Sequence, residues 1–204
     1  MISTIICGLS DVLVPGLRGI QNPQPLATRA AGDVILERLV ADDLHDLYIG
    51  AMTADEFCHR LLDRAGWPAD AEHLRAAIRE QFLDEVPGTA EVLRTLTGRY
   101  RLILLADQAR EWADHIRRQH PSLMELFDRA FFSYDFKQTK ADPGTFRMAL
   151  GLLSDAPDEC LLIDSDPANI AAAAGAGIGG ILFKNANQLA AALADRRIRP
   201  GPTG

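Results

Sequence analysis

Short apolar runs alternate with helical patterns along most of the chain. The runs that predict buried strands lie at residues 2–9, 101–106, 130–133, 160–164 and 180–183. The patterns that predict the intervening helices start at Pro87 and cover residues 108–119, 143–153 and 168–175. Strands that alternate with helices in this way favour right-handed crossovers, and they predict an α/β fold with a parallel, doubly wound sheet.

Residues 16–85 break this alternation. They contain helical patterns at 27–40, 53–65 and 71–83, with no convincing strand between them. The second pattern opens on Thr53 with Glu56 three positions later, which is the spacing of a capping box. We therefore predict a small, all-helical unit at the carboxyl edge of the sheet, where open α/β sheets bind their ligands.

This pattern divides the chain into two units and a tail. Residues 1–15 and 86–198 are predicted to form the core, and residues 16–85 the helical insert. The proline- and glycine-rich residues 199–204 are predicted to form a flexible tail. Within the core, Asp142 and Asp166 each precede a proline, which predicts two capped helix starts.

Composition narrows the possible partners. The 204 residues carry a net charge of −7, which argues against nucleic-acid and membrane partners because both favour basic surfaces. The three cysteines are odd in number and have no C-x-x-C spacing, so we predict buried thiols in a reducing compartment. A signal-like start and a membrane-length apolar run are both lacking, so the predicted location is cytoplasmic.

The histidines do not indicate a metal site. They fall on helical patterns or at helix ends, and none has the spacing H-x-x-x-H. We therefore predict that all of them lie on the surface, and these residues are His45, His59, His73, His115 and His120.

Four short segments that carry polar residues lie at or after the ends of the predicted strands. They are Gly8–Val14, Leu104-Leu105-Ala106-Asp107, Lys140-Ala141-Asp142-Pro143, and Ile163-Asp164-Ser165-Asp166-Pro167-Ala168-Asn169. In sequence and order they resemble the four motifs of the haloacid dehalogenase (HAD) superfamily. The helical insert is similar to the C1-type cap of its phosphatase-like subgroup. The resemblance covers nearly the whole chain and implies a HAD-like Rossmannoid core with a small helical cap.

The resemblance also implies that four catalytic positions are degenerate. The positions of the nucleophile, the general acid/base, the phosphate-binding hydroxyl and the second acid of the fourth motif are held by Gly8, Ser10, Ala106 and Ser165. A glycine has no side chain to attack phosphorus or to bind a metal. Mg²⁺ is typically held by one or two carboxylates together with phosphate and water. Because one acid of the fourth motif remains, beside a lysine, we expect Mg²⁺ to be lost and no cofactor to be bound.

Our leading hypothesis at this point is a pseudo-phosphatase with a binding, regulatory or assembly role. A small anionic or neutral ligand would bind in the core–cap cleft and contact Ser10 and Lys140. A homodimer or a protein partner is also expected. The alternative is a HAD-fold enzyme with repurposed, metal-independent chemistry, either a hydrolase or a lyase acting on a small molecule. Residual phosphatase activity is the third hypothesis.

If the chain is an enzyme, its candidate catalytic residues are Asp11, Asp107, Lys140 and Asp164. Asp11 is either a displaced catalytic carboxylate or a turn residue. Asp107 either contacts Lys140 or caps the next helix. Lys140 and Asp164 either form a mutual ion pair or contact a ligand. Cys7, next to the glycine, is predicted to be buried and structural.

Overall fold

The computed structural model describes residues 1–17, 42–66, 68 and 70–201. The helix predicted at residues 27–40 lies outside the described residues. Within the described part of the chain, no helix combines the length and the hydropathy that crossing a membrane requires.

One parallel sheet organises the described core. Its strands are β1 (Thr4–Cys7), β2 (Arg101–Ala106), β3 (Arg129–Phe132), β4 (Cys160–Asp164) and β5 (Gly179–Leu182). The strands lie in the order β3-β2-β1-β4-β5, so the first strand of the chain is the middle one. The predicted α/β fold with a parallel, doubly wound sheet is therefore confirmed.

Helices connect the strands and form the described part of the insert. They are α1 (Ala54–Ala65), α2 (Ala71–Gln81), α3 (Thr89–Arg94), α4 (Arg110–Gln119), α5 (Pro121–Met124), α6 (Ser133–Phe136), α7 (Pro143–Leu153), α8 (Pro167–Gly175) and α9 (Ala186–Asp195). Residues 42–48 are also helical, and Pro157–Glu159 form a short 3₁₀ turn.

The capping residues predicted from the sequence are in place. Thr53 and Glu56 form both bonds of a capping box at the start of α1. Asp142 accepts a hydrogen bond from the amide of Gly144, and Asp166 accepts one from the amide of Ala168. These bonds satisfy amides that the first turn of a helix leaves unpaired.

The first strand is shorter than the predicted run of residues 2–9. The chain turns after Cys7, where the carbonyl of Leu9 accepts hydrogen bonds from the amides of Val12, Leu13 and Val14. The amide of Gly8 still bonds to the carbonyl of Ile163, and the chain then leaves the sheet through this turn.

The register of the three middle strands places their carboxyl ends side by side. Cys7 pairs with Leu104 of β2 on one side and with Ile163 of β4 on the other. The residues that follow β1 and β2 and the last residue of β4 therefore meet at one edge of the sheet. This edge carries the candidate site.

The described part of the insert shares one buried core with the sheet. Trp112 of α4 is fully buried and contacts the rings of Phe57 in α1 and Phe82 after α2. At the junction, the amide of Val86 donates to the carbonyl of Leu13 at 2.8 Å. The limits 16–85 for the insert, with 1–15 and 86–198 for the core, stay a prediction.

The predicted tail is attached at its beginning. The amide of Arg199 donates to the Tyr100 hydroxyl at 3.1 Å, and the amide of Gly201 donates to the carbonyl of Thr95. The chain is therefore held against the end of α3 at least as far as residue 201, and residues 202–204 lie outside the described part.

Candidate functional site

The loop after β1 carries Gly8, Ser10 and Asp11. The amide of Gly8 donates to the carbonyl of Ile163 at 2.8 Å, which ties the loop to β4. Asp11 has a φ of 58°, and its Oδ1 accepts a hydrogen bond from the amide of Gly16 at 2.7 Å. Its carboxylate thus closes the loop, as the turn interpretation predicts.

The space beside Gly8 is filled by its neighbours. A Cβ atom at this position would lie 2.8 Å from Asp164 Oδ2 and 3.4 Å from Lys140 Nζ. Cys7 is fully buried, and its Sγ donates to the carbonyl of Gly8 at 3.2 Å. Burial raises the pKa of this thiol well above its usual range, and the charge of Asp164 adds to the rise. The thiol is therefore held in its unreactive form.

Lys140 and Asp164 form the centre of the site. Lys140 Nζ donates to Asp164 Oδ2 at 2.6 Å, and the two residues are 5% and 2% exposed. Asp164 Oδ1 accepts from the amide of Asp166 at 2.9 Å and from Asn169 Nδ2 at 3.0 Å. Burial acts to lower the pKa of Lys140, but the charges of Asp164 and Asp107 outweigh it and raise this pKa above its usual value. The ammonium therefore stays charged.

Asp107 follows β2 beside this pair. Its Oδ1 and Oδ2 accept from the backbone amide of Lys140 at 3.0 and 3.2 Å. Burial raises the pKa of Asp107 to about 6, although the charge and the amide of Lys140 act against the rise. The proposed capping role of Asp107 is wrong, because α4 begins at Arg110 with Ala109 as its N-cap.

Ala106 and Ser165, two further positions that the resemblance pointed to, lie at the same edge. Ala106 is buried and pairs with Phe132 of the neighbouring strand. Ser165 Oγ donates to the carbonyl of Ser10 at 3.2 Å, which joins the loops after β1 and β4. Ser10 itself is partly exposed.

Two residues at this edge were not singled out from the sequence. Asn169 holds Asp164 from the first turn of α8, and its place in the fourth polar segment was the signal. Ser133 is 1% exposed and accepts a hydrogen bond from the amide of Gln108. Its only sequence signal was a hydroxyl directly after the apolar run of the third strand.

The site can be tested against a magnesium ion, which prefers several oxygen ligands in octahedral geometry. Asp164 has one oxygen against the Lys140 ammonium and the other in two hydrogen bonds. Among the described residues, no three His, Cys, Asp or Glu side chains cluster so that they could hold a metal. As they lie, these side chains do not fit the ion.

A groove of about 470 Å³ lies at the opposite edge of the sheet. Its lining includes Arg101, the first residue of β2, together with Glu125 and Asp128. The groove lies at the amino ends of the strands, whereas Lys140 and Asp107 lie at the carboxyl ends. It therefore does not belong to the candidate site.

Comparison with known proteins gives the family. A family model described as haloacid dehalogenase-like hydrolase matches residues 18–177, which is more than three quarters of the chain. The matched region begins after the loop that carries Gly8 and Ser10. A curated relative, flavin mononucleotide hydrolase 1 of Arabidopsis thaliana, is 27% identical over 136 residues. The match covers 62% of this chain and 51% of the relative, so the chain spans about half the length of that protein.

Solved structures share the fold at low identity. A HAD family enzyme of Bacteroides thetaiotaomicron, in complex with magnesium and inorganic phosphate, has a TM-score of 0.67 at 18% identity, covering 91% of this chain and 96% of that one. A variant of that enzyme with an aspartate replaced by alanine is also complexed with magnesium and inorganic phosphate. L-2-haloacid dehalogenase of Xanthobacter autotrophicus, with chloropropionic acid covalently bound, has a TM-score of 0.67 at 17% identity, covering 98% of this chain and 85% of that one.

These comparisons correct two predictions. The hypothesis of a catalytically degenerate pseudo-phosphatase is contradicted, because the family match is to hydrolases and the curated relative is a hydrolase. The expectation that Mg²⁺ is lost and no cofactor is used is also contradicted, because the similar enzyme is complexed with magnesium. The assignment to the C1-type cap subgroup stays a prediction. The match over residues 18–177 and the shared fold show that the chain belongs to the haloacid dehalogenase-like hydrolase family.

Proposed function

We propose that this protein is a hydrolase of a small organic phosphate, with its reaction centre at Lys140 and Asp107. The observation that carries the proposal is the buried ammonium of Lys140 at the carboxyl edge of the sheet, paired with Asp164 and next to Asp107, whose pKa is raised. A titratable group of this kind beside a fixed charge is typical of a catalytic site.

Lys140 supplies the binding charge. When an anionic substrate enters, its oxygens compete with Asp164 Oδ2 for the ammonium, which lies 2.6 Å from that oxygen. Asp166 and Asn169 hold the other carboxylate oxygen in place. The partly exposed hydroxyl of Ser10 offers a further donor to the same anion.

Asp107 supplies the base. Because its pKa lies at about 6, it is ionised at neutral pH and still basic enough to accept a proton from water. Gly8 provides no attacking atom, so water takes that place. The water oxygen forms a bond to phosphorus while its proton passes to Asp107. The bond from phosphorus to the leaving oxygen breaks on the opposite side, where that oxygen takes a proton from solvent water, and Asp107 later releases its proton to solvent. The products are inorganic phosphate and an alcohol.

The proposal also names a first substrate and a cellular compartment. The curated relative is named for flavin mononucleotide, so we propose this anionic phosphate as the first substrate to test. The described cysteines are free buried thiols, which suits a reducing compartment, and we propose the cytoplasm. A homodimer or a protein partner stays an expectation.

The test is a hydrolysis assay with Mg²⁺ present. Flavin mononucleotide, p-nitrophenyl phosphate and 2-chloropropionate are compared for the natural protein and for Asp107→Asn. We expect a phosphate substrate to be turned over, and the variant to be slower by about 10²–10⁴-fold. The rate should fall as the pH drops below about 6, because Asp107 becomes protonated.

The matched control is Asp114→Asn, an exposed aspartate on α4 that pairs with Arg117. It should leave the rate unchanged. Absence of phosphate turnover, or equal rates for the natural protein and Asp107→Asn, would contradict the proposal.

The same variant should be more stable. The fold raises the pKa of Asp107 from 3.8 to about 6, so keeping the carboxylate charged costs stability above pH 6. That cost disappears below pH 4, where the group is protonated in both the folded and the unfolded chain. Asparagine is neutral and can still accept from the Lys140 amide. Because Asp107 is partly exposed, we expect the free energy of unfolding to rise by only about 1 kcal/mol at pH 7, with no gain at pH 3.5.

A further inference from the structure

We propose that Ser133 is a positioning residue that couples docking of the helical insert to the placement of Asp107. Ser133 Oγ accepts from the amide of Gln108 at 3.2 Å and donates to the carbonyl of Tyr48 at 2.6 Å. One buried hydroxyl thus joins the loop after β2 to the insert. The inference rests on the proposed function of Asp107.

On the core side, Ser133 fixes the loop that carries the base. Ala106 pairs with Phe132, so Asp107 and Ser133 each follow directly at the ends of neighbouring strands. Gln108 is 1% exposed, and its Oε1 accepts from the amide of Ala109 at 3.0 Å. A buried amide that lost its acceptor would be costly, so the Gln108 backbone depends on the Ser133 hydroxyl. Asp107 precedes that amide by one residue.

On the insert side, residues 48–50 dock closely against the same segment. Lys137 Nζ donates to the carbonyl of Ile49 at 3.3 Å. Gly50 has a φ of 71°, and a Cβ atom there would lie 3.2 Å from the Cβ of Tyr134. This contact is tighter than most Cβ contacts, and the positive φ also favours glycine at this position. The insert therefore packs beside Ser133. Through its bond to the Gln108 amide, the Ser133 hydroxyl links this packing to the position of Asp107.

The coupling has a measurable consequence for proton transfer. Burial is the largest cause of the raised pKa of Asp107. The charge and the amide of Lys140 act against the rise, and the charges of Asp164 and Asp166 add to it. If the loop loosens, water reaches the carboxylate and its pKa falls toward the ordinary value of an aspartate. The base also loses its fixed position, while the ammonium of Lys140 stays in place. The change should therefore lower kcat more than it raises KM.

The experiment compares Ser133→Ala and Ser133→Cys with the natural protein. The thiol keeps a weaker donor and acceptor at the same place, so a graded effect is measurable even if the alanine variant does not fold. For Ser133→Ala we expect kcat to fall by about ten- to a hundredfold at nearly unchanged KM. The midpoint of the acidic limb of the pH–rate profile should move below 6, with Ser133→Cys between the two.

The control is Ser122→Ala, which makes the same substitution at an exposed serine of α5. It should keep the rate and the midpoint of the natural protein. The carboxyl titration of Asp107, followed by ¹³C NMR, gives a readout that needs no substrate. If the natural protein hydrolyses nothing, the proposed function fails, yet the NMR midpoint still tests the coupling. An Asp107 midpoint that is the same in both Ser133 variants and the natural protein would overturn the inference.

Discussion

At residue 8, charged groups lie beside the position that a side chain would take. Asp164 Oδ2 and Lys140 Nζ lie where a Cβ and the atoms beyond it would otherwise project. Asp164 is held from three directions, by Lys140, by the amide of Asp166 and by Asn169. The carboxylate therefore cannot move aside freely for a new neighbour.

This arrangement predicts that Gly8→Ala destabilises the protein. The added methyl would lie 2.8 Å from Asp164 Oδ2, so the buried ion pair must shift. We expect a loss of about 1–3 kcal/mol in the free energy of unfolding, measured by urea denaturation.

The matched control for this substitution is Gly151→Ala, in the exposed part of α7. A Cβ atom there meets nothing within 4 Å. Replacing a helical glycine by alanine should raise stability by about 0.5–1 kcal/mol. An unchanged unfolding free energy for Gly8→Ala would show that the pair gives way without cost.

At the scale of elements, the turn between α4 and α5 clamps the insert to the core. His120 lies between these helices and is 8% exposed, so the prediction of a surface histidine is wrong for this residue. Its Nε2 lies 2.6 Å from the carbonyl of Phe82, and its Nδ1 lies 3.3 Å from Glu85 Oε1. Both partners belong to the segment that leads from α2 back to the sheet.

His120→Ala should therefore loosen this junction. The carbonyl of Phe82, a residue that is fully buried, would lose its donor, at a cost of about 1–3 kcal/mol. Urea denaturation measures the loss, and amide exchange should rise first in residues 82–86. His59→Ala on α1, whose side chain is 63% exposed, is the control and should change stability by no more than about 0.5 kcal/mol. Equal losses for the two variants would contradict the clamp.

Local sequence patterns predicted the helices and strands better than the contacts between them. The five strands follow from apolar runs, and the starts of α7 and α8 follow from an aspartate before a proline. The start of α4 was placed two residues early, because Gln108 uses its side chain to hold the next amide before the helix begins. Such a bond depends on backbone geometry that a linear pattern does not contain.

The candidate site was partly predictable for the same reason. Motif order pointed to both Lys140 and Asp164. Strand order separates β3, which precedes Lys140, from β4 by two strands, so the loop between α6 and α7 must reach across the sheet edge to bring the pair together. The contact of Asp107 with the Lys140 backbone amide, rather than with a helix start, depends on the path of the loop between α6 and α7. Ser133 bonds to Tyr48, 85 positions away in sequence, and His120 bonds to Phe82, 38 positions away. No local pattern spans these separations.

At the scale of the whole molecule, the described insert and the sheet share one hydrophobic cluster. It includes Leu61, Leu74 and Ile78 from the insert, and Trp112 and Ile116 from α4. Because these side chains are buried against each other, neither part can unfold without exposing the other's core.

We therefore predict a single cooperative transition in urea. Far-UV circular dichroism and tryptophan fluorescence should give the same midpoint. Trp112→Ala should lower the unfolding free energy of the whole molecule by about 3–5 kcal/mol. The control is Glu111→Gln, which weakens ion pairs with Arg75 and Arg79 and should cost about 1 kcal/mol or less. Two separate transitions in the natural protein would contradict the shared core.

The central position of β1 also bears on how such a protein diverges. That strand is paired along both sides, to β2 and to β4, entirely through backbone groups. The side chains that follow its carboxyl end take no part in those ladders. A lineage can therefore exchange the reactive groups at the tip over generations while the scaffold is inherited intact, and new chemistry can arise there without a new architecture.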